Sequence, residues 1–294
     1  MAEPTELSLK VPWGHISALS WGSPTAKPML LVHGTLDNAG SFTRLMRHLP
    51  QDFYYVSIDL PGHGLSSHFP PGMFLDFFNF VMAIHYVLEE LNWKRCLYMG
   101  HSFGAQLGVM FSILSPNRLE KIIAIDALFS KHFAPEALYT RTKTIFDTTI
   151  SAGQKRTPSL HTKEKILETL QNGRQFPLTR EAAEALFVRA TTKVGDKYRY
   201  NRDVRMRNIV TLYFNMEQLM AYMKQLTVPT LLIIPEHSWF EHWGEVDSLE
   251  MIKKHLAGCV TMLRVAGNHD VHNNEPQIVV PHIMGFFNDQ RSKL

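Results

Sequence analysis

Four apolar runs constrain the fold most: MLLVHG (29–34), YYVSIDL (54–60), RCLYMG (95–100) and KIIAID (121–126). Each is a short continuous run with no polar alternation, as expected of a strand buried on both faces. Segments of helical spacing separate them: SFTRLMRHL (41–49), residues 74–91, and FGAQLGVMFSIL (103–114). Strands alternating with helices predict βαβ units and a mostly parallel, doubly wound sheet. Right-handed crossovers then cover both faces, and the site lies at the carboxyl ends of the strands. Residues 7–22 read as two further short strands around a turn at Pro12 to Gly14.

The alternation stops at residue 126 and resumes at 227. PTLLIIP (229–235) and VTMLRVAG (260–267) are strands, and helices are expected around 246–256 and 276–288. Between them, residues 127–226 hold no strand-like run of comparable strength, with turns expected at Gly153, Pro158 and Gly173. The expected organisation is a core built from 1–126 and 227–294, interrupted by a helical lid of about one hundred residues. Charge follows this division. Residues 131–224 carry 17 Lys+Arg against 9 Asp+Glu, although the whole chain is only +3. The excess reads either as a solvated face or as a basic cap over a site for an anionic substrate.

Other classes are disfavoured. At 45% hydrophobic and 19% charged, the chain has enough apolar residues for a large core. No Lys/Arg run with interleaved aromatics suggests nucleic acid, and no apolar stretch reaches the length of a membrane span. Cys96 and Cys259 have no metal-ligand or CxxC spacing; Cys96 reads as a packing residue, and a reducing compartment fits. MAEPTELSLK lacks the marks of a secretory signal. Ser292-Lys293-Leu294 matches the address read by the peroxisomal import receptor, so a peroxisomal location is expected, and otherwise a cytoplasmic one.

The chemistry centres on Gly100-His101-Ser102-Phe103-Gly104, a G-x-S-x-G set between a strand and a helix. A strand-to-helix turn this sharp requires small flanking residues and presents Ser102 as a nucleophile. Acyl transfer also needs N–H donors for an oxyanion. The amides of Phe103 and of Thr35, in His33-Gly34-Thr35-Leu36, are the candidates, with His33 itself reading as a buried brace. A general base is expected on a loop over the nucleophile, and Gly267-Asn268-His269 follows the last strand. His272 competes but reads as a packing or capping residue. Asp59-Leu60-Pro61-Gly62-His63-Gly64-Leu65-Ser66 reads as a structural turn.

Together these pieces resemble the α/β-hydrolase superfamily, and more closely its serine hydrolase-like, kraken-type group. VPWGHISALSWG, HGTLDNAGSF, LPQDFYYVSIDLPGHGLSSH, GHSFG and GNHDVH are similar to that group in order. The resemblance covers the sheet-forming parts and is weak in the lid. It implies an α/β-hydrolase fold and a serine hydrolase with Ser102 as nucleophile and His269 as base. Thr35 departs from the group, which usually has tryptophan there, so substrate preference does not carry over. Haloalkane dehalogenases and epoxide hydrolases share the fold, but use an aspartate where Ser102 stands.

The acid is the open point. In the superfamily it follows either the strand after the lid, here PEHSWF with Glu236, or the strand before it, here Asp126. Both remain candidates, with Asp247 behind them. The expected activity is hydrolysis of a small-molecule carboxylic ester or thioester, an anionic one matching a basic lid. No metal or organic cofactor is expected. The missing aspartate after PEH also leaves open a hydrolase-fold binding protein or receptor with little turnover.

Overall fold

The computed structural model describes residues 3–130, 135–154, 159–211, 214–242 and 246–288. Pro158, the Asp247 side chain and Ser292 to Leu294 lie outside the described residues.

Eight strands form one sheet: β1 (Thr5–Val11), β2 (Gly14–Trp21), β3 (Lys27–Val32), β4 (Phe53–Ile58), β5 (Cys96–His101), β6 (Leu119–Ile125), β9 (Thr230–His237) and β10 (Val260–Asn268). Two more, β7 (Thr191–Val194) and β8 (Lys197–Tyr200), pair as a separate hairpin. The sheet order is β1-β2-β4-β3-β5-β6-β9-β10. The β1–β2 and β2–β4 pairs are antiparallel and all pairs from β4 to β10 are parallel. The fold is therefore the mostly parallel α/β-hydrolase sheet.

The pleat explains the unbroken apolar runs. Leu30, Val32, Tyr98, Ile122 and Leu232 face one core with the helices Phe77–Glu90 and Phe103–Leu114. Met29, Leu31, Leu97, Ile123 and Ile233 face the other, with residues of the short helix Thr43–Met46 and the closing helix Pro276–Asn288. Successive side chains point to opposite faces, so a strand covered on both sides is apolar throughout. The 41–49 segment forms less helix than its spacing suggests: a 3-10 turn, Ala39–Phe42, and one helical turn, Thr43–Met46. Phe42, Leu45 and Leu49 are nevertheless buried.

The segment between β6 and β9 contains three longer helices, Pro135–Ala152, Lys163–Asn172 and Arg180–Ala190, with a small apolar centre of its own around Ile166, Leu170, Ala183 and Phe187. The β7–β8 hairpin there was not anticipated. TTKVGDKYRY is too polar to register as a buried strand, and an exposed two-stranded ribbon does not need to be apolar. Among the described residues no helix is long and apolar enough to cross a membrane.

The structural turn binds the segment to the core. The Asp59 carboxylate accepts the amides of Ala39 at 2.7 Å and Leu65 at 2.8 Å. It also receives Arg189 Nη2 at 2.8 Å, an arginine only 2% exposed that reaches in from the helix Arg180–Ala190. Cys96 is a buried packing residue whose thiol burial pushes up to about 12.

Candidate active site

The sheet order reverses around β3: the chain passes from β3 out to β4, then returns to β5 on the other side of β3. Crevices at such points are where α/β sheets bind ligands. The loop after β3 carries Thr35 and the turn after β5 carries Ser102. They line one cavity of about 330 Å³ together with His269 and Trp239.

Ser102 has φ 50° and ψ −117°, a conformation that costs a non-glycine residue on the order of 1–3 kcal/mol. The turn tolerates no bulk beside it. A Cβ on Gly104 would lie 2.1 Å from the Val32 carbonyl oxygen, and one on Gly100 would lie 2.5 Å from the Ala105 nitrogen. The Ser102 amide donates to Ile125 O at 2.9 Å, tying the turn to the end of β6. Phe103 opens the helix, so its N–H has no acceptor within that helix and is free to face a developing anion.

His269 follows β10 and is 4% exposed. Its Nδ1 lies 2.7 Å from Asp126 Oδ2. Asp126 ends β6 with φ 52° and is fully buried. Two more donors hold its carboxylate: the Trp239 amide at 2.9 Å to Oδ2, and the Ser238 hydroxyl to Oδ1. Burial raises this carboxyl to about 8, opposed by the Ser238 and Trp239 hydrogen bonds. Three groups converging as donors fit an ionised acceptor. Glu236 and His237 are exposed at the end of β9. PEHSWF thus presents Glu236 to solvent and uses its last residues to position Asp126. That role for Ser238 and Trp239 escapes a sequence reading, because the donors lie 112 and 113 residues from their acceptor.

His269 is neutral at rest. Burial, and then the charges of His101, Arg174 and His272, depress His269 well below the ordinary histidine value. Its ring is enclosed by Trp239 at 5.3 Å, Phe176 at 5.4 Å and His101 at 4.5 Å between centroids. His101 Nε2 donates to the His269 carbonyl at 2.9 Å, so the residue before Ser102 also anchors the loop that carries His269. His272 is buried against His101 and Phe42, away from hydrogen-bonding partners among the described residues, which is the packing role expected of it. His33 is a brace: Nδ1 donates to Gly34 O at 2.7 Å and Nε2 accepts the Leu60 amide at 2.9 Å.

One ion-pair cluster was not foreseen. Arg174, from the segment between β6 and β9, donates to Asp37 Oδ1 at 2.9 Å and Asp270 Oδ1 at 2.8 Å. Asp37 follows the Thr35 loop and Asp270 follows His269. The one sequence signal was a pair of acids placed just after two motif loops. With His101 these aspartates form a group with metal-ligand geometry. The Arg174 guanidinium already supplies the positive charge there.

These features define an α/β hydrolase, and the chain belongs to the α/β hydrolase fold family, whose model matches residues 27–255. Among curated proteins it is similar to serine hydrolase-like protein 2 of Homo sapiens, 37% identical over 96% of this chain and 93% of that protein. It is also similar to a serine hydrolase-like protein of Danio rerio, 31% identical over 97% and 89%. Among solved structures it resembles a hypothetical protein of Pseudomonas aeruginosa with a TM-score of 0.86 and 25% identity, covering 98% of this chain and all of that one. A thioesterase domain from the curacin biosynthetic pathway shares the fold with a TM-score of 0.79 at 21% identity, covering 96% and 100%.

Proposed function

We propose that the protein hydrolyses a carboxylic ester or thioester through an acyl-enzyme on Ser102. The observation that carries this reading is the 2.7 Å contact of His269 Nδ1 with the buried Asp126 carboxylate, beside a serine in a strained turn. Asp126 holds the proton on Nδ1, which leaves Nε2 as the base. Ser102 Oγ attacks the substrate carbonyl carbon and its proton passes to Nε2. The Thr35 and Phe103 amides hold the resulting oxyanion. Collapse breaks the bond to the leaving alcohol or thiol, which takes the proton from His269. Water, deprotonated by the same nitrogen, then releases the acid and restores Ser102. Every step is proton transfer and acyl transfer, so these residues suffice without a cofactor.

Asp126 supplies the carboxylate whose absence after β9 motivated the binding-protein reading, and this supports turnover. A fluorophosphonate probe tests the proposal. Wild-type protein is expected to be labelled and Ser102→Ala spared. A protein that resists the probe and turns over no member of an ester and thioester panel would overturn it.

A further inference from the structure

Four arginines of the basic segment between β6 and β9 lie against acids. Arg174 meets Asp37 and Asp270, Arg180 meets Glu164 and Glu184, Arg189 meets Asp59 and Glu6, and Arg205 meets Asp203. Arg202 and Arg207 differ. Among the described residues neither makes an ion pair or a side-chain hydrogen bond, yet both line the Ser102 cavity. Arg202 is half-buried, with its guanidinium carbon over the Tyr200 ring, 4.6 Å from its centroid. Arg207 is exposed at the rim.

A second cavity of about 360 Å³ adjoins the first and shares Leu36, Tyr200, Arg202 and Arg207 with it. The two guanidinium groups therefore stand where an inner compartment holding Ser102 meets an outer one. The acid of the outer compartment, Asp203, is already engaged by Arg205, with Nε to Oδ1 at 3.0 Å and Nη2 to Oδ2 at 2.6 Å. Desolvation lowers the Arg202 pKa, Tyr200 opposes this, and the charge of Arg207 lowers it further. Two like charges brought together in a partly dry cleft are costly unless an anion joins them. A fork of donors on an aromatic face suits a planar or tetrahedral oxyanion.

We propose that Arg202 and Arg207 form an anion subsite, and that the ester or thioester cleaved at Ser102 carries a phosphate or carboxylate group remote from its scissile carbonyl. The inner compartment takes the ester and the outer one the anionic end. The assignment of Ser102 rests on the hydrolase reading above; the anion subsite is testable without it.

Calorimetry on the full-length Ser102→Ala protein, with inorganic phosphate and succinate as probes, tests the subsite independently of turnover. At least one probe is expected to bind, and R202Q and R207Q each to weaken it tenfold or more, with R202K intermediate. Arg207 is exposed, so R207Q tests the idea even where R202Q disturbs the fold. Binding of phosphate alone, or of succinate alone, identifies which oxyanion the substrate carries. No binding of either probe, or equal binding in both variants, overturns the proposal. Kinetics give the second arm, with butyryl-pantetheine against butyryl-4′-phosphopantetheine and p-nitrophenyl butyrate against p-nitrophenyl hemisuccinate. The kcat/KM ratio of anionic to neutral member is expected to exceed ten in one pair and to fall towards one in R202Q/R207Q. A ratio near one in wild type for both pairs overturns the substrate class. Absence of all turnover with unlabelled Ser102 overturns the hydrolase reading instead.

Discussion

Arg174 Nη2 donates to Asp270 Oδ1 at 2.8 Å, tying the segment between β6 and β9 to the residue that follows His269. The same guanidinium reaches Asp37 on the loop after β3. Two loops of the site are thus held by one cation from outside the core. Both carboxylates are 2% exposed and the arginine 22%. Removing it leaves two buried carboxyl groups without their cationic partner. Arg174→Ala is expected to lower stability by about 3 kcal/mol, and Arg174→Lys by less, read by urea denaturation with Ser102 labelling alongside. An unchanged midpoint would show that the cluster contributes nothing.

The two candidate acids predict opposite mutational outcomes. Asp126→Asn keeps the shape but presents an amide to Nδ1, so kcat is expected to fall by about 10³-fold or more. Glu236→Gln alters an exposed side chain and should leave kcat within about twofold. Steady-state kinetics on any hydrolysed ester distinguish them. A reversal of these two results would move the acid to β9.

Ser238 tests whether PEHSWF now serves Asp126. Its hydroxyl lowers the Asp126 carboxyl by hydrogen bonding. Ser238→Ala removes a donor to a charged acceptor, a contribution of about 1.5–3 kcal/mol. The Asp126 carboxyl then rises, and the acid limb of kcat/KM is expected to move to higher pH. A pH profile superimposable on wild type would contradict this.

Acid should destabilise the fold as pH falls below 6.5, through two buried histidines. Burial desolvates both rings and lowers His33 to about 4 and His63 to about 3, each from 6.5; each ring also uses one nitrogen as a buried acceptor. Between those values and 6.5 the unfolded chain binds protons that the folded chain does not. Stability is therefore complete above pH 6.5 and lost as pH falls towards 4, by about 1.4 kcal/mol per pH unit for each histidine. Denaturation midpoints at pH 7, 6 and 5 measure the slope, and His63→Gln should reduce it. A midpoint independent of pH in this window would rule the effect out.

The parallel sheet was legible because a strand buried on both faces is apolar at every position, as in MLLV and IIAI. The GHSFG turn was legible for a steric reason: Gly100 and Gly104 leave no room for a Cβ. His269 was legible from its place after the last strand. These are local signals, each written in fewer than ten consecutive residues. The polar β7–β8 hairpin has no such signal, since exposed ribbons need no pattern.

The choice between Asp126 and Glu236 belonged to tertiary structure. Both end strands and both are carboxylates, so local sequence treats them alike. The β6 and β9 strands lie side by side, and His269 comes from β10 beyond them. Its ring reaches past the end of β9 to Asp126 Oδ2, where the Trp239 amide also donates, while the Ser238 hydroxyl donates to Oδ1. By itself the sequence showed a serine in a strand-to-helix turn, a histidine after the last strand and the sheet that carries them. The tertiary structure decided which carboxylate meets that histidine and which arginines line the cavity. Hydrogen bonds and ion pairs between residues more than a hundred positions apart form only when the chain has folded.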